Sequence, residues 1–184
     1  MKKILLVLSF LVFSSEAFSQ FLLEPYTGYA TSLSGKNNNN NADLSYNGSD
    51  VGTRIGWAFD KIMAGVFWDY SWLNEKTTIS GQSFTIPANR YNSGVFLGAN
   101  LNGGFRFWGE YLFFVRDMYD MNGDIYDEGY GWGAAVGYLF NKKIALNLQY
   151  RNITLNKNQS FTLPYTIVSQ ELLLTLSFPI YPFN

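Results

Sequence analysis

Seven charged side chains stand out because each falls among apolar or small residues: Glu24, Arg54, Asp69, Arg106, Glu110, Arg151 and Glu171. Two kinds of chemistry suit such a set. Carboxylates held close together can divide acid and base roles, which makes Glu24, Asp69, Glu110 and Glu171 the catalytic candidates. Arginines and carboxylates withdrawn from water can instead pair with one another, since a bare buried charge is costly and a paired, hydrogen-bonded one persists. The rest of the inventory narrows the choice. With no His and no Cys in the sequence, zinc sites built on either residue, thiol nucleophiles, disulfides and Ser-His-Asp mechanisms are all excluded. No metal and no cofactor is expected. A net charge of −1, from 13 basic and 14 acidic residues, offers no electrostatic footprint for nucleic acid. The acidic stretch 117–128 (DMYDMNGDIYDE) has a chemical accent, but aligning Gly123 as a calcium-loop glycine puts Met118 first and Gly129 last. Both key ligands are then missing and the EF-hand pattern fails. Loose divalent-cation binding or a plain solvated loop remains.

The elements that must hold these residues alternate with a period of two, the mark of strands. In 51–59, Val51, Thr53, Ile55, Trp57 and Phe59 are separated by Gly52, Arg54, Gly56 and Ala58. In 62–72, Ile62, Val66, Trp68, Tyr70 and Trp72 alternate with Met63, Gly65, Phe67, Asp69 and Ser71. The pattern recurs over 91–101, 105–114, 130–140, 144–151 and 168–178, with Arg106, Trp108, Glu110 and Phe114 on one face of the fifth segment. A weaker first segment, 21–33, contains Pro25, which cannot donate to a ladder and points to a bulge or a late start. The total is eight strands. Arg106 and Glu110 are four residues apart on one strand, about 13 Å, so each needs a partner on another strand.

The connections alternate as well. Short turns at Asp60-Lys61, Asn102-Gly103-Gly104 and Asn141-Lys142-Lys143 have hairpin chemistry. The others, 34–49, 75–89, 117–128 and 156–166, are long and polar. Lys36, Lys61, Lys76, Lys142 and Lys157 all fall in connections. Short turns at one end and long loops at the other are the asymmetry of a transmembrane barrel. Composition agrees: aromatics are 18% of the chain and charged residues only 15%, against about a quarter charged in a typical soluble domain. The bulky face would overfill the interior of eight strands, whereas the Gly-rich face fits it. Bulky residues therefore point to lipid. Trp72, Tyr91, Tyr130 and Tyr150 form a girdle toward the long loops, and Phe59, Phe105, Phe140 and Phe178 another toward the short turns. Ahead of the strands, Lys2-Lys3, the apolar run 4–13 and Ala17-Phe18-Ser19 make residues 1–19 a secretory signal peptide, with the barrel domain occupying 20–184.

The sequence thus resembles the small eight-stranded outer-membrane β-barrels of the OmpA/OmpX-like type over nearly the whole exported part. The fold class is all-β, an eight-stranded antiparallel up-and-down transmembrane barrel. The final strand, Glu171-Leu172-Leu173-Leu174-Thr175-Leu176-Ser177-Phe178, is similar to the C-terminal signal read by the barrel-assembly machinery in that family. Phe178 is the assembly-signal residue, although this chain continues to Phe183. The resemblance implies a monomer in outer-membrane lipid, with a surface ligand engaged through the long loops. Lipid-modifying members of such families need a catalytic His, so no enzymatic activity is expected. The seven charged residues are expected inside, as a network filling the lumen; a narrow channel for small solutes is the alternative.

Overall fold

The computed structural model describes residues 19–38, 42–59, 61–120, 124–158 and 161–181. Residues 1–18 of the expected signal peptide lie outside them, as does Phe183. Eight strands follow in chain order: β1 (Ser19–Asn37), β2 (Ala42–Phe59), β3 (Ile62–Ile79), β4 (Gln82–Asn100), β5 (Phe105–Asp120), β6 (Asp124–Asn141), β7 (Ile144–Asn158) and β8 (Phe161–Ser177). Each pairs antiparallel with the next, and β1 pairs with β8, so the sheet closes on itself. Closure satisfies every wall strand on both sides, which a barrel must achieve in a medium that offers no hydrogen bonds.

Side chains sort as the alternation requires. Phe67, Phe96, Trp108, Leu112 and Leu22 are buried in the barrel, while twenty-eight large apolar or aromatic residues among those described are exposed on its outside. Leu97, Phe105 and Phe140 are each at least 60% exposed. Soluble monomers rarely expose contiguous apolar patches beyond a few hundred Å², so this belt needs lipid against it. All eight girdle residues point outward, Trp72, Tyr91 and Tyr130 strongly so. Inside, small residues make the room. A Cβ on Gly94 would come within 2.6 Å of the Phe67 ring, and one on Gly52 within 2.5 Å of Tyr26.

Three expectations need correction. The long connections are mostly wall: β3 runs to Ile79 and β4 resumes at Gln82, with Ser80 (φ 50°) and Gly81 (φ 82°) forming the turn between them. Two successive left-handed residues make the primed turn whose twist matches a hairpin. Tall hairpins therefore replace floppy loops, and Lys36, Lys76 and Lys157 sit on strands, exposed above the belt. Polar outward residues hid this extension, because strand there faces water on its outer side. Second, β1 passes straight through Pro25, and its register shifts lie farther on, between Thr31 and Lys36. Pro25 is tolerated because the regular β1–β8 ladder begins only at Tyr26. Third, β5 carries a bulge: Ser93 pairs with Phe114 and Gly94 with Leu112, leaving Phe113 as the extra residue. Phe114 consequently leaves the interior face, and Leu112 and Val115 are fully buried instead.

Candidate functional site

Among the described residues, charge concentrates away from water in the lumen. Inward positions of β1, β2, β3, β5, β7 and β8 place all seven sequence-derived residues there, each no more than 5% exposed. At the end nearest the short turns, Glu24 accepts from Arg54 Nη1 at 3.0 Å and from Arg106 Nη2 at 2.5 Å. Arg106 also donates to Asn147 Oδ1 and to Ser177 Oγ, each at 2.9 Å. The Arg54 guanidinium stacks 4.4 Å from the Tyr26 ring and 4.5 Å from the Trp108 ring. Cation–π contact of this kind lets an arginine shed water without losing all its electrostatic stabilisation.

Halfway up, Arg151 is the hub. It donates through Nη2 to Asp69 at 2.7 Å and through Nε to Glu110 at 3.1 Å, and its Nη1 lies 3.7 Å from Glu171. Glu110 also accepts from Trp108 Nε1 at 2.8 Å, and Arg54 stands 3.9 Å away. Asp69 accepts from Tyr26 Oη at 3.0 Å and Asn92 Nδ2 at 2.6 Å. Arg106 and Glu110, four residues apart on β5, thus find their partners on other strands and not in each other.

Two members lay outside the sequence-derived set. Arg90 grips Asp117 with two donors, at 2.5 and 2.7 Å, and reaches Glu171 at 2.8 Å. Tyr46 Oη also donates to Glu171 at 2.8 Å. Arg90 was legible: stepping back by two from Asn92 puts it on the inward face. Asp117 was not, because only the Phe113 bulge turns it inward and Arg116 outward, where Arg116 pairs with Glu128. Asp50, Glu75 and Asp127 are buried too. Among the described residues four arginines therefore face eight buried carboxylates, well short of the near balance of three against four expected.

The surplus acid collects toward the tall-hairpin end. Asp50 accepts from Ser71 Oγ at 2.7 Å, Asp127 from Asn158 Nδ2 at 2.8 Å, and Glu75 from Tyr119 Oη at 3.4 Å. Glu75 lies beyond the apolar belt, between the exposed Asn74 and Lys76. Burial, reinforced by Asp117, pushes its carboxyl up to about 7 against the opposing pull of Arg90 and Tyr119. No group of three or more acidic side chains among the described residues is placed to hold a metal ion.

No family model matches the sequence, and no curated protein matches it either. Solved structures do. Neisserial surface protein A superposes with a TM-score of 0.57 at 13% identity, covering 88% of this chain and 99% of that one. Ail, the attachment invasion locus protein of Yersinia pestis, crystallised with the heparin analogue sucrose octasulfate, gives 0.58 at 11%, covering 88% and 99%. The outer membrane protein OprG from Pseudomonas aeruginosa gives 0.55 at 11%, covering 90% and 98%. At such identities the likeness is one of fold. With a closed eight-stranded wall, an apolar outer belt and a charged interior, this chain has the fold of the small OmpA/OmpX-like outer-membrane β-barrels.

Proposed function

We propose that the protein is a non-enzymatic, monomeric outer-membrane barrel whose lumen is sealed by its ion-pair network and whose tall hairpins meet partners at the cell surface. The observation that carries this reading is the continuity of the network. Arg106, Glu24, Arg54, Glu110, Arg151, Glu171, Arg90 and Asp117 follow one another in contact, from the short-turn end to the hairpin end. Opening a path through it would strip partners from charges in a low-dielectric site, which is strongly unfavourable. The same pairing argues against acid–base catalysis, because Glu24, Asp69, Glu110 and Glu171 each already hold an arginine and are closed to substrate. The short turns, the start of β1 and the end of β8 lie on the periplasmic side, and residues 1–19 direct export. Surface contacts fall to exposed residues of the hairpins such as Leu33, Phe84, Lys36 and Lys76.

Planar-bilayer recording on folded 20–184 tests the seal. A silent bilayer containing protein of heat-modifiable gel mobility is the expected result. Reproducible discrete openings would replace this reading with the narrow channel. Hairpin function is tested separately, by trimming 34–45 or 76–87 and measuring surface binding of cells that still display the barrel.

A further inference from the structure

Two depressions lie near the β6–β8 side of the barrel, one at its short-turn end and one on the outer wall above it. The lower, of about 450 Å³, is lined by Lys142 and Lys143 from the β6–β7 turn and by Phe178, Pro179, Ile180 and Tyr181 after β8. The upper, of about 470 Å³, lies within the apolar belt and is flanked by Val136, Tyr138, Leu146, Leu148 and Leu174. Leu146 is three residues along β7 from Lys143, about 10 Å. The arrangement offers two cations at the rim of the belt and an apolar depression about 10 Å farther up the wall.

The turn and the segment after β8 are each held in place by hydrogen bonds. The Lys143 amide donates to Asn141 Oδ1 at 2.8 Å, which fixes the turn. Ile180 exchanges two backbone bonds with Leu23, at 3.0 and 2.7 Å, and the Phe178 amide donates to Pro25 O at 2.9 Å. The segment after β8 is thereby sewn onto β1, and Tyr181 packs against the core inside the barrel's lower end. Neither Lys142 nor Lys143 has an ion-pair partner among the described residues, and both are exposed. Paired, unneutralised ammonium groups at a membrane rim call for an anion, and the apolar depression above them calls for a hydrocarbon chain.

We infer that this face is a binding site for one anionic phospholipid of the periplasmic leaflet, its phosphate held by Lys142 and Lys143 and an acyl chain laid along Leu146, Leu148 and Leu174. Charge complementarity and continuity with the lipid-facing belt select a phospholipid over a soluble anion. The site rests on the membrane orientation proposed above. Its test does not, since lipid offered in a micelle reaches either end of the barrel.

Folded 20–184 in neutral detergent is titrated with phosphatidylglycerol or with phosphatidylcholine of the same chains, and bound lipid is counted by native mass spectrometry. Several-fold preference for phosphatidylglycerol is expected, falling to the phosphatidylcholine level in K142Q/K143Q. Lys61→Gln, on a different turn of the same end, should leave the preference intact, and Leu148→Trp should lower retention of both lipids. Equal retention by the unaltered protein, an unchanged K142Q/K143Q, or an equal loss in K61Q would each overturn the site. Capture of soluble peptidoglycan fragments by the lysines in place of lipid would also overturn it. Loss of heat-modifiable folding in micelles would count against the barrel reading instead.

Discussion

Arg151 and Asp69, 82 residues apart in the chain, meet at 2.7 Å with both side chains fully excluded from solvent. The pair joins β7 to β3 across the lumen, and Arg151 also serves Glu110 and Glu171. Removing the two members should therefore have unequal effects. Arg151→Ala leaves three buried carboxylates short of a cation, and a loss of about 3–5 kcal/mol is expected for breaking a buried pair in this way. Asp69→Ala leaves Arg151 with Glu110 and should cost less. Urea unfolding in detergent, followed by gel mobility, measures both; equal losses would contradict the hub role of Arg151.

Interior room is tested by two glycines on opposite faces. A Cβ on Gly137 would meet Asn147 Oδ1 and lie 3.1 Å from Arg106 Cγ, pressing on the layer around Glu24. Gly137→Ala should destabilise by about 1–3 kcal/mol through overpacking. Gly109 faces outward, and its nearest neighbour would be 3.9 Å away. Gly109→Ala should be close to neutral, and a comparable loss at both sites would show that packing within the lumen is loose.

Glu75 gives the hairpin end a pH dependence of definite sign. Its carboxyl titrates at about 7 in the folded protein, raised chiefly by burial, against an ordinary value of 4.5. Between those values the folded chain holds a proton that the unfolded chain has lost. This contribution to stability is thus complete below about pH 4.5, declines as pH rises to about 7, and is gone above it. Unfolding midpoints measured from pH 4 to 8 should show that decline, and Glu75→Gln should flatten it. A slope unchanged in E75Q would assign the effect elsewhere.

Phe178 is the residue proposed to be read during assembly. It is exposed on the outer face just beyond β8, at the seam where β8 meets β1, and its amide donates to Pro25 O. Phe178→Ala should lower the fraction of heat-modifiable barrel recovered from cells several-fold, with little effect on refolding of purified protein into detergent. Phe183→Ala should be milder. The reverse ranking would move the signal to the chain's last residues.

Strand number, closure, the outward belt and the outward direction of the eight aromatic residues expected in the girdles were legible in the chain, because side chains on a strand alternate strictly and lipid and lumen demand opposite residues on the two faces. The same alternation identified Glu24, Arg54, Asp69, Arg106, Glu110, Arg151 and Glu171 as inward; carried two residues back from Asn92 it would also have reached Arg90, which the sequence-derived set left out. It could not say that 75–89 is wall. Above the membrane the outer face turns polar, and a strand with water on one side and a polar lumen on the other has no apolar signature. Nor could it place Asp117. One extra residue at Phe113 inverts every later side chain on β5, and that bulge depends on how β5 registers against β4 and β6. Composition and alternation by themselves determined that this chain forms a lipid-facing eight-stranded barrel with charge inside. Which arginine holds which carboxylate, and that acids outnumber arginines toward the hairpin end, was decided only by the tertiary structure, because partners up to 82 residues apart are brought together by closure and register, not by proximity along the chain.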